Sequence, residues 1–226
     1  MKLSILALLL TFSSVATTFA QKMTAEEKVK YVKAITERAD KIVVNLGINE
    51  PKKSEKVRNI IRDQYSNLND IYAARDLTVK DIKEKNKDNK VERDSAIAKE
   101  NRIVETSLNK LHKKYISKLS AHLTTDQVDL VKNGMTYNVL PITYKAYQEE
   151  VLTLTEDQKK QILVWLTEAR EHAMDAESSD KKHAWFGKYK GRINNYLSAA
   201  GYDLKKEGIE WEKRRKAKAQ SNNPNQ

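Results

Sequence analysis

The chain contains no cysteine. That excludes disulfides, thiolate metal sites and a cysteine nucleophile. It also removes the residue on which a bacterial lipoprotein anchor is built. Glycine and proline are scarce, with 6 and 3 among 226 residues. Turns are therefore few and the helices between them long. No segment alternates apolar and polar residues regularly enough to read as a strand. There is no His-Glu-x-x-His, no Gly-x-Ser-x-Gly, no P-loop and no dinucleotide glycine pattern. Neither a cofactor nor a metal site is expected, and the reading leans away from an enzyme in that no catalytic motif stands out.

What is present begins with an export signal. Lys2 gives a positive start, Leu3 to Leu10 is almost wholly apolar, and Thr18-Phe19-Ala20 offers small residues for a peptidase. Residues 1–20 are read as a signal peptide cleaved after Ala20. The apolar run is too short for a stable span, so no lasting membrane insertion is expected. Export without cysteine fits a bacterial periplasm, or secretion, better than a disulfide-rich secreted module.

Charged residues make up 32% of the chain, and the formal net charge is +11. A basic exported protein attracts anionic partners, such as acidic polysaccharide. Nucleic acid is not expected, because the compartment is wrong and no nucleic-acid-binding signature appears. The oligomeric state is not legible.

The fold class read from periodicity is all-α, a helical bundle. It comprises a long antiparallel hairpin over about 52–122 and a half of shorter helices over about 123–212. Residues 21–212 are read as one domain and 213–226 as a basic disordered tail. Thr24 with Glu27 forms a capping box ahead of Val29, Val32, Ile35, Ala39, Ile42, Val43 and Leu46. Gly47 ends that helix and Pro51 opens the next. Val57, Ile61, Leu68, Ile71 and Tyr72 carry the second helix, with a kink near Leu77 and a restart at Thr78. Residues 86–89 reverse the chain. Ile97, Asn101, Val104, Leu108, Leu111 and Tyr115 repeat in steps of four and three, the spacing of a packed helical pair. The charged stretch 80–100 is the solvated tip.

In the second half, Leu-Thr-x-Asp-Gln occurs at 123–127 and again at 154–158. Each reads as a Thr cap answered by Gln. The pattern also resembles the Leu-Thr-x-x-Gln segments of small periplasmic stress chaperones. The first helix runs to Gly134. Residues 137–143 are β-branched and contain Pro141, so an extended connector is expected there. Ile162, Leu163, Leu166, Ala169 and Ala173 form the inner side of a later helix. Glu168 and His172 lie four apart and are read as an exposed pair rather than metal ligands.

The stretch 183–202 mixes aromatic, basic and amide side chains in one helix. Phe186, Tyr189, Ile193 and Leu197 share its core face, and Trp185, Lys188, Arg192 and Asn195 share another. An indole plate flanked by such donors suits a sugar ring. Tyr137 and Asn138, near Tyr144 and Tyr147, are read as a second wall. The same residues used as a core cap need no ligand.

The segments Asn133-Gly-Met-Thr-Tyr-Asn-Val, Glu168-Ala-Arg-Glu-His-Ala-Met-Asp175 and 182–203 resemble domain of unknown function 3826, a family of exported bacterial proteins labelled sugar-binding. The resemblance spans nearly the whole exported chain and associates it with polysaccharide-degrading systems of the Bacteroidetes type. It implies no particular binding residues. The leading expectation is a non-catalytic carbohydrate-binding or polysaccharide-utilisation accessory protein for acidic glycans, with ligand contacts at Trp185, Lys188, Arg192, Asn195, Tyr137 and Asn138. A periplasmic chaperone is the alternative. A glycan lyase using Arg, Lys or Tyr around the 183–202 helix is a third reading.

Overall fold

A computed structural model describes residues 23–221, and within them every regular element is a helix. The expected signal peptide lies outside the described residues. The order is α1 Ala25–Val43, a single 3₁₀ turn Val44–Leu46, α2 Pro51–Lys85, α3 Lys90–Ser120, α4 Thr125–Met135, α5 Val139–Glu150, α6 Glu156–Met174, α7 Ser179–Ala199 and α8 Leu204–Ser221.

The helix starts follow local chemistry. Thr24, Thr124 and Thr155 each accept a hydrogen bond from the third helical N–H, and the side-chain oxygens of Glu27, Gln127 and Gln158 each accept one from the cap residue's own N–H. These three reciprocal caps satisfy N–H groups that have no partner within the helix. Both Leu-Thr-x-Asp-Gln segments therefore serve as capping boxes. Gly47 ends the first unit at φ 63°, a conformation that costs glycine little.

The described core has two parts. One joins α1, the bases of α2 and α3, and α4, around Ala39, Val57, Ile61, Leu119 and Val131. The other joins α5, α6 and α7, around Leu140, Ile162, Leu166, Phe186 and Ile193. Met174, at the end of α6, packs into the first. Gly134 lets α4 come close to α1: a Cβ placed there would lie 2.8 Å from Ile42 Cγ1.

Several expectations are corrected. Helix α2 runs unbroken through Leu77, because the Thr78 hydroxyl donates to the Ala74 carbonyl at 3.1 Å instead of capping a new start. Residues 139–143 are helical rather than an extended connector, so α5 begins at Val139. Pro141 falls in the first turn of α5, where its missing N–H would have had no helical partner. Leu163, Val29 and Val32 are exposed. Trp165 takes the inner place expected of Leu163. On α1, Tyr31 rather than Val32 turns toward α2, where its hydroxyl donates to the Tyr65 carbonyl at 3.0 Å. The basic segment from Lys213 continues α8 to Ser221. Arg214 ties it to α5 by donating to the Glu149 and Glu150 carbonyls at 2.9 and 3.0 Å.

Candidate functional site

A groove opens beside the first part of the core, with Ile42, Met135 and Tyr65 among its lining. Helices α1 and α2 form one wall, and the turns 136–138 and 175–178 with the start of α7 form the other. Its volume is about 1220 Å³, large enough for several sugar rings. Tyr31, Tyr65, Tyr72 and Tyr137 contribute aromatic surface, and Asn45, Asn69 and Asn138 contribute amides.

The groove's charge is uneven. Arg38, Lys41 and Lys182 line it together with Asp76 and Glu177. Arg75 occupies both acids, at 2.6 Å from Asp76 and 2.7 Å from Glu177. The ion pairs of α1 are Lys30 with Glu26 and Asp40 with Arg58. Arg38 and Lys41 are thus left without an acidic partner among the described residues. The groove presents uncompensated positive charge.

One rim is held in a rare backbone conformation. Tyr137 and Asn138 have φ of 58° and 56°. Two consecutive non-glycine residues in the left-handed region cost on the order of 1–3 kcal/mol each, and such strain clusters at ligand sites. The tight bend lets α5 begin at Val139 and turns Tyr137 onto His183, with ring centroids 5.4 Å apart and planes 12° apart.

A network of charges around the buried Arg170 backs the groove. Arg170 is 5% exposed. It donates to Asp129 Oδ1 at 2.8 Å, Asn133 Oδ1 at 3.0 Å and Glu171 Oε1 at 3.2 Å. Glu171 also accepts from Lys132 at 3.0 Å and lies 3.5 Å from His112 Nε2. The other ring nitrogen of His112 is 2.6 Å from Asp175. Burial works against the Glu171 carboxylate, but the bonds from His112 and Lys132 outweigh it and hold its pKa at about 2. The bonds to Asp175 and Glu171 raise His112 to about 9, against burial. Tyr72 donates to the Asp175 carbonyl at 2.8 Å, so α2, α3 and α6 all fix the turn that leads into α7.

The residues predicted from sequence fall into two places. Tyr137 and Asn138 line the groove. Trp185, Lys188 and Arg192 lie instead on the α6–α7 face. There the Trp185 ring stacks on His172 at 4.3 Å, and Lys188 Nζ sits 5.1 Å from its centroid. Arg192 lies 4.5 Å above the Trp165 ring and 3.7 Å from Glu168. Asn195 is exposed. Tyr147 turns into the second core and donates to Asn194 Oδ1 at 2.7 Å. Lys190 does not join the groove lining either, and its carbonyl lies 3.4 Å from the Tyr147 hydroxyl.

Sequence reasoning missed Arg38, Lys41, Tyr31, Tyr65, Tyr72 and Lys182. One signal was available for Lys182. It stands four residues before Phe186, on the stripe that continues through Ile193 and Leu197. A lysine on an apolar stripe marks a buried amine.

A family model described as a protein of unknown function (DUF3826) matches residues 32–217. The chain belongs to the DUF3826 family. The match takes in both parts of the core and every groove-lining residue except Tyr31. No curated protein matches the chain. The three segments that carry the DUF3826 resemblance supply the Tyr137–Asn138 rim, the Arg170–Glu171–Asp175 network and Lys182.

Proposed function

We propose that this DUF3826 protein is an exported carbohydrate-binding protein that holds an acidic glycan in the groove. The observation that carries the reading is Arg38 and Lys41, without acidic partners among the described residues, lining a trough of tyrosines and asparagines. Tyrosine faces offer apolar plates to sugar rings, amides meet hydroxyls, and a free guanidinium binds carboxylate in bidentate fashion. The net charge of +11 would raise the local concentration of a polyanion. The groove is favoured over the Trp185 face because Trp185 and Arg192 are already occupied by His172, Lys188, Trp165 and Glu168.

Calorimetry with oligouronides tests this. Binding should weaken at least about tenfold when Arg38 and Lys41 are both replaced by Ala, and should weaken further as salt is added. A folded protein that binds no acidic glycan sinks the proposal. The chaperone reading rests on two Leu-Thr-x-Asp-Gln segments whose observed work is capping, so it has no separate support here.

A further inference from the structure

Lys182 has an unusual setting for a groove-lining amine. It is 7% exposed. Its Nζ donates to the Ala173 carbonyl at 3.1 Å and the Met174 carbonyl at 2.9 Å. Both partners are neutral carbonyls at the end of α6. Two N–H bonds fix the nitrogen and leave one tetrahedral position, which is a lone pair in the neutral amine. Burial lowers its pKa to about 8, with Asp175 opposing and Arg38 reinforcing. A neutral amine is thus accessible near physiological pH without a metal or a second base.

Two further groups share this cavity. Arg38 and Tyr65 line the same groove as Lys182. The Tyr65 hydroxyl makes no hydrogen bond to a described residue, and burial raises its pKa to about 12, so it carries its proton at neutral pH. Base, carboxylate receptor and proton donor then line one trough. The other titratable groups around Lys182 are Asp175 with its partner His112 from α3, Glu177, Tyr31 on α1 and Tyr72 on α2.

We propose that the groove is the active site of a uronate lyase, in which Lys182 removes the C5 proton of a hexuronate, Arg38 pairs with that sugar's carboxylate, and Tyr65 protonates the departing O4. The C5–H electron pair becomes the C4=C5 double bond, and the C4–O4 bond breaks with its pair going to oxygen. The carboxylate acidifies C5–H, and the Arg38 guanidinium stabilises the charge that develops on it. The proton on Lys182 then returns to the Tyr65 phenolate through solvent, so no oxidant, reductant or further reactant is consumed. The activity rests on the acidic-glycan reading of the same groove.

The test incubates the full protein with polygalacturonate, alginate and hyaluronan. It follows the ultraviolet absorbance of the unsaturated uronate and measures binding in parallel by calorimetry. At least one polymer that binds should give absorbing product, with kcat rising as pH passes through about 8. Lys182→Arg keeps donors for the two carbonyls but supplies no base, and should lose at least about a hundredfold in kcat with binding retained. Tyr65→Phe should lose a similar factor in kcat with little change in KM. It keeps the assignment testable if the Lys182 variant fails to fold. Binding without absorbing product at any pH overturns the lyase and leaves the binding proposal standing. Absence of binding to all three polymers overturns both. An unimpaired Lys182→Arg enzyme overturns the role of Lys182.

Discussion

The groove and the Trp185 face use the same kinds of side chain to different ends. On the α6–α7 face, each aromatic and cation meets a partner from the protein: Trp185 has His172 and Lys188, and Arg192 has Trp165 and Glu168. In the groove, Arg38 and Lys41 lack acidic partners among the described residues, and the Tyr65 hydroxyl has none of its own. The supports differ as well. The Trp185 face rests on apolar packing of Ile162, Leu166, Phe186 and Ile193. The groove rests on a charged network centred on Arg170, His112 and Asp175. A mixture of aromatic and basic residues in sequence does not separate a surface left open from a self-satisfied one. What separates them is whether the protein has already taken up their bonding capacity.

The largest test of this contrast is Arg170→Ala. It leaves Asp129, Asn133 and Glu171 without their shared donor and should lower unfolding free energy by about 3 kcal/mol in a denaturant titration. Ligand affinity should fall with it, because the turn 175–178 loses its backing. A cost near zero would mean that the groove does not depend on the charged network.

Next in size is the pH dependence. His112 has a folded pKa of about 9, above its ordinary value. Its stabilisation is therefore fully present below about pH 6.5 and is lost as pH rises through about 9, a loss on the order of 2–3 kcal/mol. Lys182 works in the opposite sense, since a lowered lysine pKa adds stability as pH rises from about 8 to its unfolded value. Stability should thus decline most clearly between about pH 6.5 and 8. His112→Gln should flatten that decline in thermal melts recorded across the range. A decline that survives the substitution would assign it to other groups.

Tyr137→Gly makes a finer distinction. Glycine removes the left-handed penalty at φ 58° but also removes a ring from the rim. Stability should hold or rise by up to about 1 kcal/mol while affinity for acidic oligosaccharide falls about tenfold. Affinity unchanged beside a gain in stability would make the strain purely structural. The smallest expected effect is that of Trp185→Ala on binding. Affinity should stay within about twofold, although the lost stacking on His172 costs about 1–2 kcal/mol of stability. A loss of binding there would return the site to the Trp185 face.

The sequence carried the helical architecture well where the cause is local. Thr24, Thr124 and Thr155 announce their helices three residues ahead, and the reversal at Asn86–Asn89 is where the hairpin turns. Pro141 misled because a proline reads as a breaker until its place in the first turn is known. The groove was legible only in Tyr137 and Asn138. Its remaining residues come from α1, α2, α4, the turn before α7 and α7 itself, and nothing periodic links Arg38 to Tyr65 or Lys182. Arg170 was hidden for a related reason. Charged residues are read as solvated, and partners 37 and 41 positions away leave no mark on local spacing.

The long hairpin has an evolutionary consequence. The buried residues of α2 end at Leu68, and those of α3 begin at Val104. Between them each arm is packed mainly against the other, and the groove touches α2 no further along than Asp76. Selection on ligand chemistry therefore has little hold on the outer turns, whereas selection on reach acts on them directly. Matched insertions or deletions of whole turns in the two arms would change how far the tip stands from the groove and leave the groove as it is. Relatives should differ in the length of this rod more readily than in the residues at its base.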